Sequence, residues 1–199
     1  MDKIVNNTRS LFHRYGVKIV RYADDFVLMG RSLPVEVKAK LENLPERMGL
    51  ALNAEKTHHI DARKKSFDFL GFTVRYSRDL FVKGRRYWEA FPSKRAEQKI
   101  REKIHGYLKT HGYSSAEKVS EDLNAMLRGW LNYFEIPKVS YTKMAKRRLR
   151  YFLSTSLYRY YNRKSQRKSR LYGQQAFEVL TARYGLIDPT KYSLGLNKL

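Results

Sequence analysis

The chain has 199 residues, which fits one domain or two small ones, because folded domains usually contain roughly 100–200 residues. Lys and Arg number 41 against 19 Asp and Glu, and the net charge of +22, with an isoelectric point of about 10.2, predicts a polyanionic partner such as nucleic acid. Since cysteine is absent, disulfides, thiolate zinc sites and cysteine nucleophiles are excluded, and oxygen atoms would have to hold any metal ion.

The first elements in the chain form a short hairpin pattern. Residues 17–22 and 26–29 are β-rich runs, and the Ala-Asp-Asp triplet between them predicts a hairpin with an acidic tip. The run 26–29 is apolar on both faces, so we expect it to be buried. Because Asp is also an ordinary turn residue, the spacing alone leaves Asp24 and Asp25 as either turn formers or a functional pair.

A helix and further strands are predicted after the hairpin. Ser32 can cap a helix that ends at Gly49, and Pro45 should kink or split it. The β-rich segments that follow are 50–52, 66–72, and a small hairpin of 74–76 with 80–82.

Helical periodicity begins after residue 92. Ile100, Ile104, Tyr107 and Leu108 share one stripe of a first helix. Ser114-Ser115-Ala116-Glu117 has capping-box spacing before a second helix, which Pro137 stops. Two further helices are expected around 141–161 and 173–184.

The change of period places a domain boundary near residues 89–92. It separates an α+β unit, residues 1–90, from an all-helical unit, residues 91–185. A short tail, residues 186–199, follows the helical unit.

A long segment in the last third of the chain contains basic residues and no acidic ones. No acidic residue lies between Glu135 and Glu178. A solvated helix face usually interleaves Glu with Lys, whereas a run of cations repels itself unless a phosphate backbone neutralises it. The cations predicted to contact nucleic acid are Lys143, Lys146, Arg147, Arg148, Arg150, Arg159, Arg163, Lys164, Arg167, Lys168 and Arg170.

Two further features of the composition bear on the partner. Aromatic residues make up 14% of the chain and suit stacking on bases, although a core role is the simpler interpretation for any single Tyr. No apolar run approaches the roughly 18–20 residues that a membrane span requires, and the first residues show no signal-peptide pattern. We therefore expect a cytoplasmic protein with no membrane partner.

Four sequence blocks follow one another in a familiar order. Tyr-Ala-Asp-Asp at 22–25 resembles the polymerase active-site signature, and LALNAEKT at 50–57 resembles the next polymerase block. FDFLGF at 67–72 resembles the primer-grip block, and LNAMLRGWLNYF at 123–134 resembles the signature of a maturase-specific thumb, domain X. Together they make the chain similar to the C-terminal part of group II intron reverse transcriptases/maturases.

This resemblance implies an α+β fold in which part of a polymerase palm precedes an all-helical maturase thumb. It implies that Asp24 and Asp25 are catalytic and hold Mg²⁺, with Tyr22 and Ala23 close to the nucleotide and template. Lys56 would lie near the incoming triphosphate, where its ammonium could stabilise or protonate the leaving pyrophosphate. Without the resemblance, Lys56 would be interpreted as a surface lysine in a turn.

The resemblance also assigns residues to the primer and to RNA. Arg128 would belong to the thumb near bound RNA, and Gly129, which costs about 1 kcal/mol in a helix relative to Ala, predicts close packing or close approach. Trp130 lies on the apolar stripe and is interpreted as core. The segment 67–72 is also a plausible buried strand, and both roles can hold together. The residues expected to support the primer terminus are Phe69, Leu70 and Gly71.

In the family another catalytic aspartate lies upstream of the YADD block, and before Asp24 this sequence has only Asp2. We therefore expect no polymerase activity from the chain alone. Three hypotheses stay open: one piece of a split polymerase that an N-terminal reverse transcriptase fragment completes, a non-catalytic RNA-binding maturase module, and an inactive remnant of a truncated intron gene. The partner that the resemblance implies is group II intron RNA, with a DNA target besides.

Overall fold

The computed structural model describes residues 7, 9–46, 57–79, 81–163 and 169–194. By its contacts the chain divides into two compact units, residues 1–61 and residues 62–199. Both contain helices and antiparallel sheet, so the α+β fold class is confirmed. The predicted strand at 50–52 and Lys56 lie outside the described residues.

The first unit contains the predicted hairpin. Helix α1 (Leu11–Arg14) precedes strands β1 (Lys18–Tyr22) and β2 (Asp25–Met29), which pair antiparallel with Tyr22 opposite Asp25. The prediction that 26–29 is buried was wrong, because the middle of β2 is only half-buried and Met29 is exposed. A two-stranded sheet in a small unit has too little neighbouring structure to cover both faces.

Helix α2 (Val35–Glu46) completes the first unit. It starts after Pro34, whose carbonyl accepts a hydrogen bond from the Lys38 N–H at 3.1 Å, and not at Ser32 as predicted. Pro45 is the last residue but one of this helix, so it lies close to the described helix end and does not split it. Among the residues of this unit whose side chains the structure describes, those in the buried cluster are Phe12, Val17, Ile19 and Val37.

A three-stranded antiparallel sheet begins the second unit, in the order β3 (Phe67–Phe69), β4 (Phe72–Arg78), β5 (Arg86–Pro92). The single strand predicted at 66–72 is therefore wrong. Leu70 and Gly71 have φ values of 48° and 78°, and Phe69 pairs with Phe72 across them. Two successive positive φ values are typical of the tight turns that suit the twist of a hairpin.

The hairpin predicted from 74–76 and 80–82 is wrong as well. Strand β4 continues to Arg78 and pairs with Arg86, so the returning strand lies further along the chain. The Asp79 carboxylate accepts hydrogen bonds from the N–H groups of Phe81 at 2.9 Å and Val82 at 3.3 Å. This carboxylate satisfies backbone donors of the loop that a strand would otherwise have to pair.

The predicted helices are confirmed as α3 (Lys94–Thr110), α4 (Ala116–Phe134), α5 (Lys143–Arg163) and α6 (Ala176–Tyr184). The Ser93 hydroxyl caps α3 by accepting from the Ala96 N–H at 3.2 Å. Ser115 caps α4, so the cap lies one residue after the predicted Ser114. No helix in the described ranges is long and apolar enough to cross a membrane.

Leucines at helical spacing build the core of the second unit. Leu123, Leu127 and Leu131 of α4 are buried, and α5 buries Leu149, Leu153 and Leu157 at the same spacing of four. Each fully buried leucine stabilises the fold by roughly 1.5–3 kcal/mol. Side chains that join them from the other helices are Ile100, Ile104, Leu108, Phe177 and Leu180.

The three-stranded sheet packs on these helices and belongs to the same compact unit. The Phe72 ring lies 4.9 Å from the Phe134 ring, and the Tyr133 hydroxyl donates to the Leu70 carbonyl at 2.9 Å. The Tyr141 N–H donates to the Ala90 carbonyl at 2.7 Å. The compact unit therefore starts at residue 62, although the period of the sequence changes near 89–92.

Candidate nucleic-acid interface

The outward face of α5 combines cations, aromatic rings and hydroxyl groups. Its leucines face the core together with Ala145, Lys146, Tyr160 and Tyr161, whereas Arg147, Tyr151 and Arg159 are exposed. Arg147, Tyr151, Thr155 and Arg159 are spaced by four residues and therefore lie along one line of the helix. Tyr151 is 76% exposed, which is unusual for so large a ring.

A second line of side chains turns this face into a groove. Arg101 of α3 and residues of α5 enclose an open cavity of about 500 Å³, here called the α5 groove. Its walls are largely apolar and its rims carry guanidinium groups. The lining residues are Arg101, Met144, Arg147, Arg148, Tyr151, Phe152, Thr155, Ser156 and Arg159.

Glu97 of α3 holds two of the groove arginines in place. Its buried carboxylate accepts from Arg148 Nε at 2.8 Å and from Arg101 Nη2 at 3.1 Å. The hydrogen bond to Glu97 raises the pKa of Arg148 above its ordinary value. The guanidinium carbon of Arg101 lies 6.0 Å from the centre of the Phe152 ring. Four guanidinium groups thus line the groove, and Glu97 holds two of them, those of Arg101 and Arg148, before any ligand arrives.

Three of the cations predicted to contact nucleic acid form ion pairs inside the chain: Lys146, Arg148 and Arg150. Buried Lys146 pairs with Glu135 and donates to the Tyr192 carbonyl at 2.8 Å. These partners lie 11 and 46 residues away in sequence, so the charge run alone could not reveal them.

Arg150 fixes the segment after α6. Its Nε lies 3.1 Å from Asp188 and its Nη2 lies 2.8 Å from Glu178. Burial alone would raise the pKa of Asp188, but hydrogen bonds from Thr190 and the charge of Arg150 bring it below its ordinary value. Arg150 is therefore a structural cation that compensates a buried carboxylate.

Other predicted cations remain at the surface. Lys143, Arg147, Arg159, Arg163 and Arg170 are exposed, as is Arg128 on α4. Lys164, Arg167 and Lys168 lie outside the described residues. The sequence pattern did not predict a site role for Arg101, Tyr151 or the two groove hydroxyls, Thr155 and Ser156. The four-residue spacing from Arg147 was the signal that pointed to Tyr151 and Thr155.

The acidic pair lies where the hairpin turns. Asp24 is in the turn and Asp25 is the first residue of β2, and both are exposed. Ala23 has a φ of 50°, and the Arg21 guanidinium donates to its carbonyl at 2.8 Å. Tyr22 is exposed beside them. Within the described residues, no three Asp, Glu or His side chains are grouped closely enough to hold a metal.

Mg²⁺ prefers about six oxygen ligands in near-octahedral geometry. Asp24 and Asp25 have suitable oxygen donors, and as two carboxylates they would supply part of such a site.

The segment 67–72, which was predicted to support a primer, contacts the end of α4. Gly71 has a φ of 78°, and a Cβ atom built on it would lie 3.3 Å from the Phe134 ring. The absent side chain therefore makes room for Phe134. Leu70 accepts the Tyr133 hydroxyl, and Phe69 ends β3 at the turn. Trp130 is half-buried and packs on the core, as the sequence indicated.

Gly129 lies on the exposed side of α4, and a Cβ atom there would meet no described atom within 4 Å. The expected packing reason is thus not found in the described part of the chain. We expect Gly129→Ala to raise the free energy of unfolding by roughly 0.5–1 kcal/mol, since Ala favours a helix interior. Chemical denaturation would measure the change. Gly106→Ala, at a similarly open position of α3, is the matched control, and a loss of stability in the Gly129 variant alone would contradict the prediction.

Comparison with protein families adds one finding to this geometry. Residues 94–176 match the family described as group II intron, maturase-specific domain. A comparison with curated proteins gives no match. The matched residues contain helices α3, α4 and α5 and every residue that lines the α5 groove. Over residues 94–176, the chain is thus similar to the group II intron maturase-specific domain.

Proposed function

We propose that this chain is a maturase module that binds group II intron RNA through the α5 groove. The observation that carries the proposal is the groove itself, which four guanidinium groups line inside the residues that match the maturase-specific domain. Guanidinium groups bind phosphates through paired N–H donors, and the groove offers several such groups in a row.

The remaining lining residues suit the same ligand. Tyr151 offers an exposed ring on which an unpaired base can stack, and RNA loops and bulges present such bases. Thr155 and Ser156 carry hydroxyl groups, which commonly bind phosphate and sugar oxygens. Arg101 and Arg148 need little reordering when RNA binds, because Glu97 already holds them.

The double variant Arg147→Glu with Arg159→Glu tests the groove. Both arginines are exposed, and no ion pair joins either to another described side chain, so the fold should tolerate the change. We expect RNA affinity to fall at least tenfold at low salt. The slope of log affinity against log salt should become less negative by roughly 0.7–0.9 for each lost phosphate contact.

The matched control is Arg183→Glu with Lys191→Glu, which changes the net charge equally at exposed positions outside the groove. Affinity would be measured across a salt series with a structured intron fragment. Equal losses in both double variants would show that only total charge matters, and this result would remove the groove from the proposal.

A second proposal concerns the YADD hairpin. We infer that Asp24 and Asp25 contribute to a polymerase metal site that another polypeptide segment completes, and that Mg²⁺ there would activate the primer hydroxyl. Their exposed position at the hairpin tip favours this role, since the carboxylates are accessible to a ligand and to a neighbouring segment. The same proposal includes three further roles. Lys56 would lie near the incoming triphosphate, and the primer terminus would be supported by Phe69, Leu70 and Gly71. A DNA target would be the third component.

A further inference from the structure

The three-stranded sheet carries an aromatic and basic surface that the α5 groove does not include. Alternate residues of a strand share a face, so Tyr76 and Arg78 of β4 lie on the same side as Arg86 and Trp88 of β5. The register places Tyr76 opposite Trp88 and Arg78 opposite Arg86. These four side chains are here called the sheet patch.

The rings of the sheet patch are arranged as a platform. The centres of the Tyr76 and Trp88 rings are 4.9 Å apart, with an angle of 40° between the planes. The Arg86 guanidinium lies 5.7 Å from the centre of the Tyr76 ring. Trp88 is 50% exposed, whereas Trp130 packs against the core of the helices. The indole of Trp88 therefore has surface left for a ligand.

Charge separates the two faces of this sheet. On the opposite face, buried Glu89 pairs with Arg75 and also accepts the Ser77 hydroxyl, so its charge is compensated there. On the face of the patch none of the residues that β4 and β5 contribute is acidic, and Arg78 and Arg86 are both exposed. A ligand at the patch meets an aromatic surface between uncompensated positive charges.

We propose that the sheet patch binds an unpaired nucleotide of a single-stranded nucleic acid. The base stacks on the Trp88 indole, and the flanking phosphates pair with Arg78 and Arg86. A stacked base and two phosphate contacts match the chemistry of the four side chains, because aromatic rings accept any base while arginines follow the backbone. The sheet patch shares no residue with the α5 groove, so this proposal does not depend on RNA binding in the groove.

Tryptophan fluorescence tests this proposal directly, since the chain contains only two tryptophans. The Trp130→Phe variant leaves Trp88 as the sole indole and would be titrated with a single-stranded decamer of uridines or of thymidines. Excitation at a wavelength that tyrosine does not absorb isolates the indole signal. We expect strong quenching by stacking, and a much weaker change in the Trp88→Phe variant, which retains Trp130.

The two decamers distinguish RNA from DNA, and equal quenching by both still supports a stacking site. The Arg147→Glu, Arg159→Glu change in the Trp130→Phe background should retain the quenching even if it abolishes binding in the groove. Bound decamer that leaves Trp88 emission unchanged would overturn the proposal, as would equal quenching of Trp130. If the sheet patch binds a protein partner and not a nucleotide, the decamer should leave the Trp88 emission unchanged.

A second measurement does not depend on the Trp130 substitution. Trp88→Ala should weaken decamer affinity about tenfold, because one base stacked on an aromatic ring contributes about that much. Tyr113→Ala is the matched control, since this exposed ring lies in the turn before α4. Fluorescence anisotropy of a labelled decamer measures the affinity of each variant. Equal affinities for Trp88→Ala and Tyr113→Ala would contradict the assignment of Trp88 as the stacking residue.

Discussion

Arg150→Glu is expected to destabilise residues 62–199 strongly, whereas Arg147→Glu, one helical turn earlier, should leave the fold intact. The Asp188 side chain is only 5% exposed and depends on Arg150 for charge compensation. The substitution removes that cation and adds a carboxylate beside Asp188 and Glu178. Removing one partner of a fully buried ion pair costs about 3–5 kcal/mol, but Arg150 is 40% exposed and solvent screens its charge. We therefore expect a loss of about 2–3 kcal/mol, which corresponds to roughly 5–10 °C in melting temperature.

Thermal unfolding followed by circular dichroism measures this difference, with the Arg147→Glu protein as the matched control. The control changes the same charge on the same helix, and exposed substitutions of this kind usually alter stability by less than about 0.5 kcal/mol. For RNA affinity, measured on the folded proteins, we expect the reverse: Arg147→Glu should lower the affinity more than Arg150→Glu does, because Arg147 lines the α5 groove and Arg150 does not. Equal melting temperatures for the two variants would refute the structural role of Arg150.

The pH dependence of stability tests the same ion pair between Arg150 and Asp188. The pKa of Asp188 lies below its ordinary value in the folded state, so its contribution to stability is present above the unfolded pKa. That contribution is lost as the pH falls through the lowered folded pKa. We therefore expect the stability gap between the parent chain and Arg150→Glu to be full near neutrality and to narrow as the pH falls below about 4.

Primer extension is the second large effect that we expect. The 199-residue chain alone should not extend a primer, because Asp24 and Asp25 supply only part of the oxygen ligands that two metal ions require. A polypeptide that contains the upstream palm block of the family, added in trans, should permit weak Mg²⁺-dependent extension. The activity should be weak because association must first order the two pieces.

In that complex Asp24→Asn should abolish extension and leave RNA affinity nearly unchanged, since Asp24 does not line the α5 groove that we propose as the RNA-binding surface. Primer extension and RNA binding would be measured side by side for both proteins, with and without the added polypeptide. Extension by the unmodified chain alone would refute the expectation of an incomplete site. Equal extension by the Asp24→Asn complex would remove Asp24 from the catalytic role.

The helices could be predicted from the sequence because their buried apolar residues recur every three or four positions. Leucines four residues apart, such as Leu123 and Leu127, indicate a buried stripe whatever the stripe packs against. The turn inside 67–72 could not be predicted in this way. Phe67 and Phe69 alternate as in one continuous strand, and nothing about a leucine signals the positive φ that Leu70 adopts.

The candidate site could be predicted only in part, because charge in a sequence does not reveal its partner. Arg147 and Arg148 are adjacent in the same basic run, yet only Arg148 pairs with Glu97, which lies 51 residues earlier. Arg101 was missed because it joins the groove from another helix. The hairpin tip at Asp24 was predicted because turn residues act locally.

The contact of Leu70 and Gly71 with the end of α4 has a consequence for recombining this chain with its relatives. Residues that are 63 positions apart meet there, since the Tyr133 hydroxyl donates to the Leu70 carbonyl, and Phe134 fills the space beside Gly71. A chimera joined near residue 92 would pair a turn from one parent with aromatic rings from another. A junction near residue 61 keeps both sides of this contact from one parent, and is the better place to exchange the helical unit.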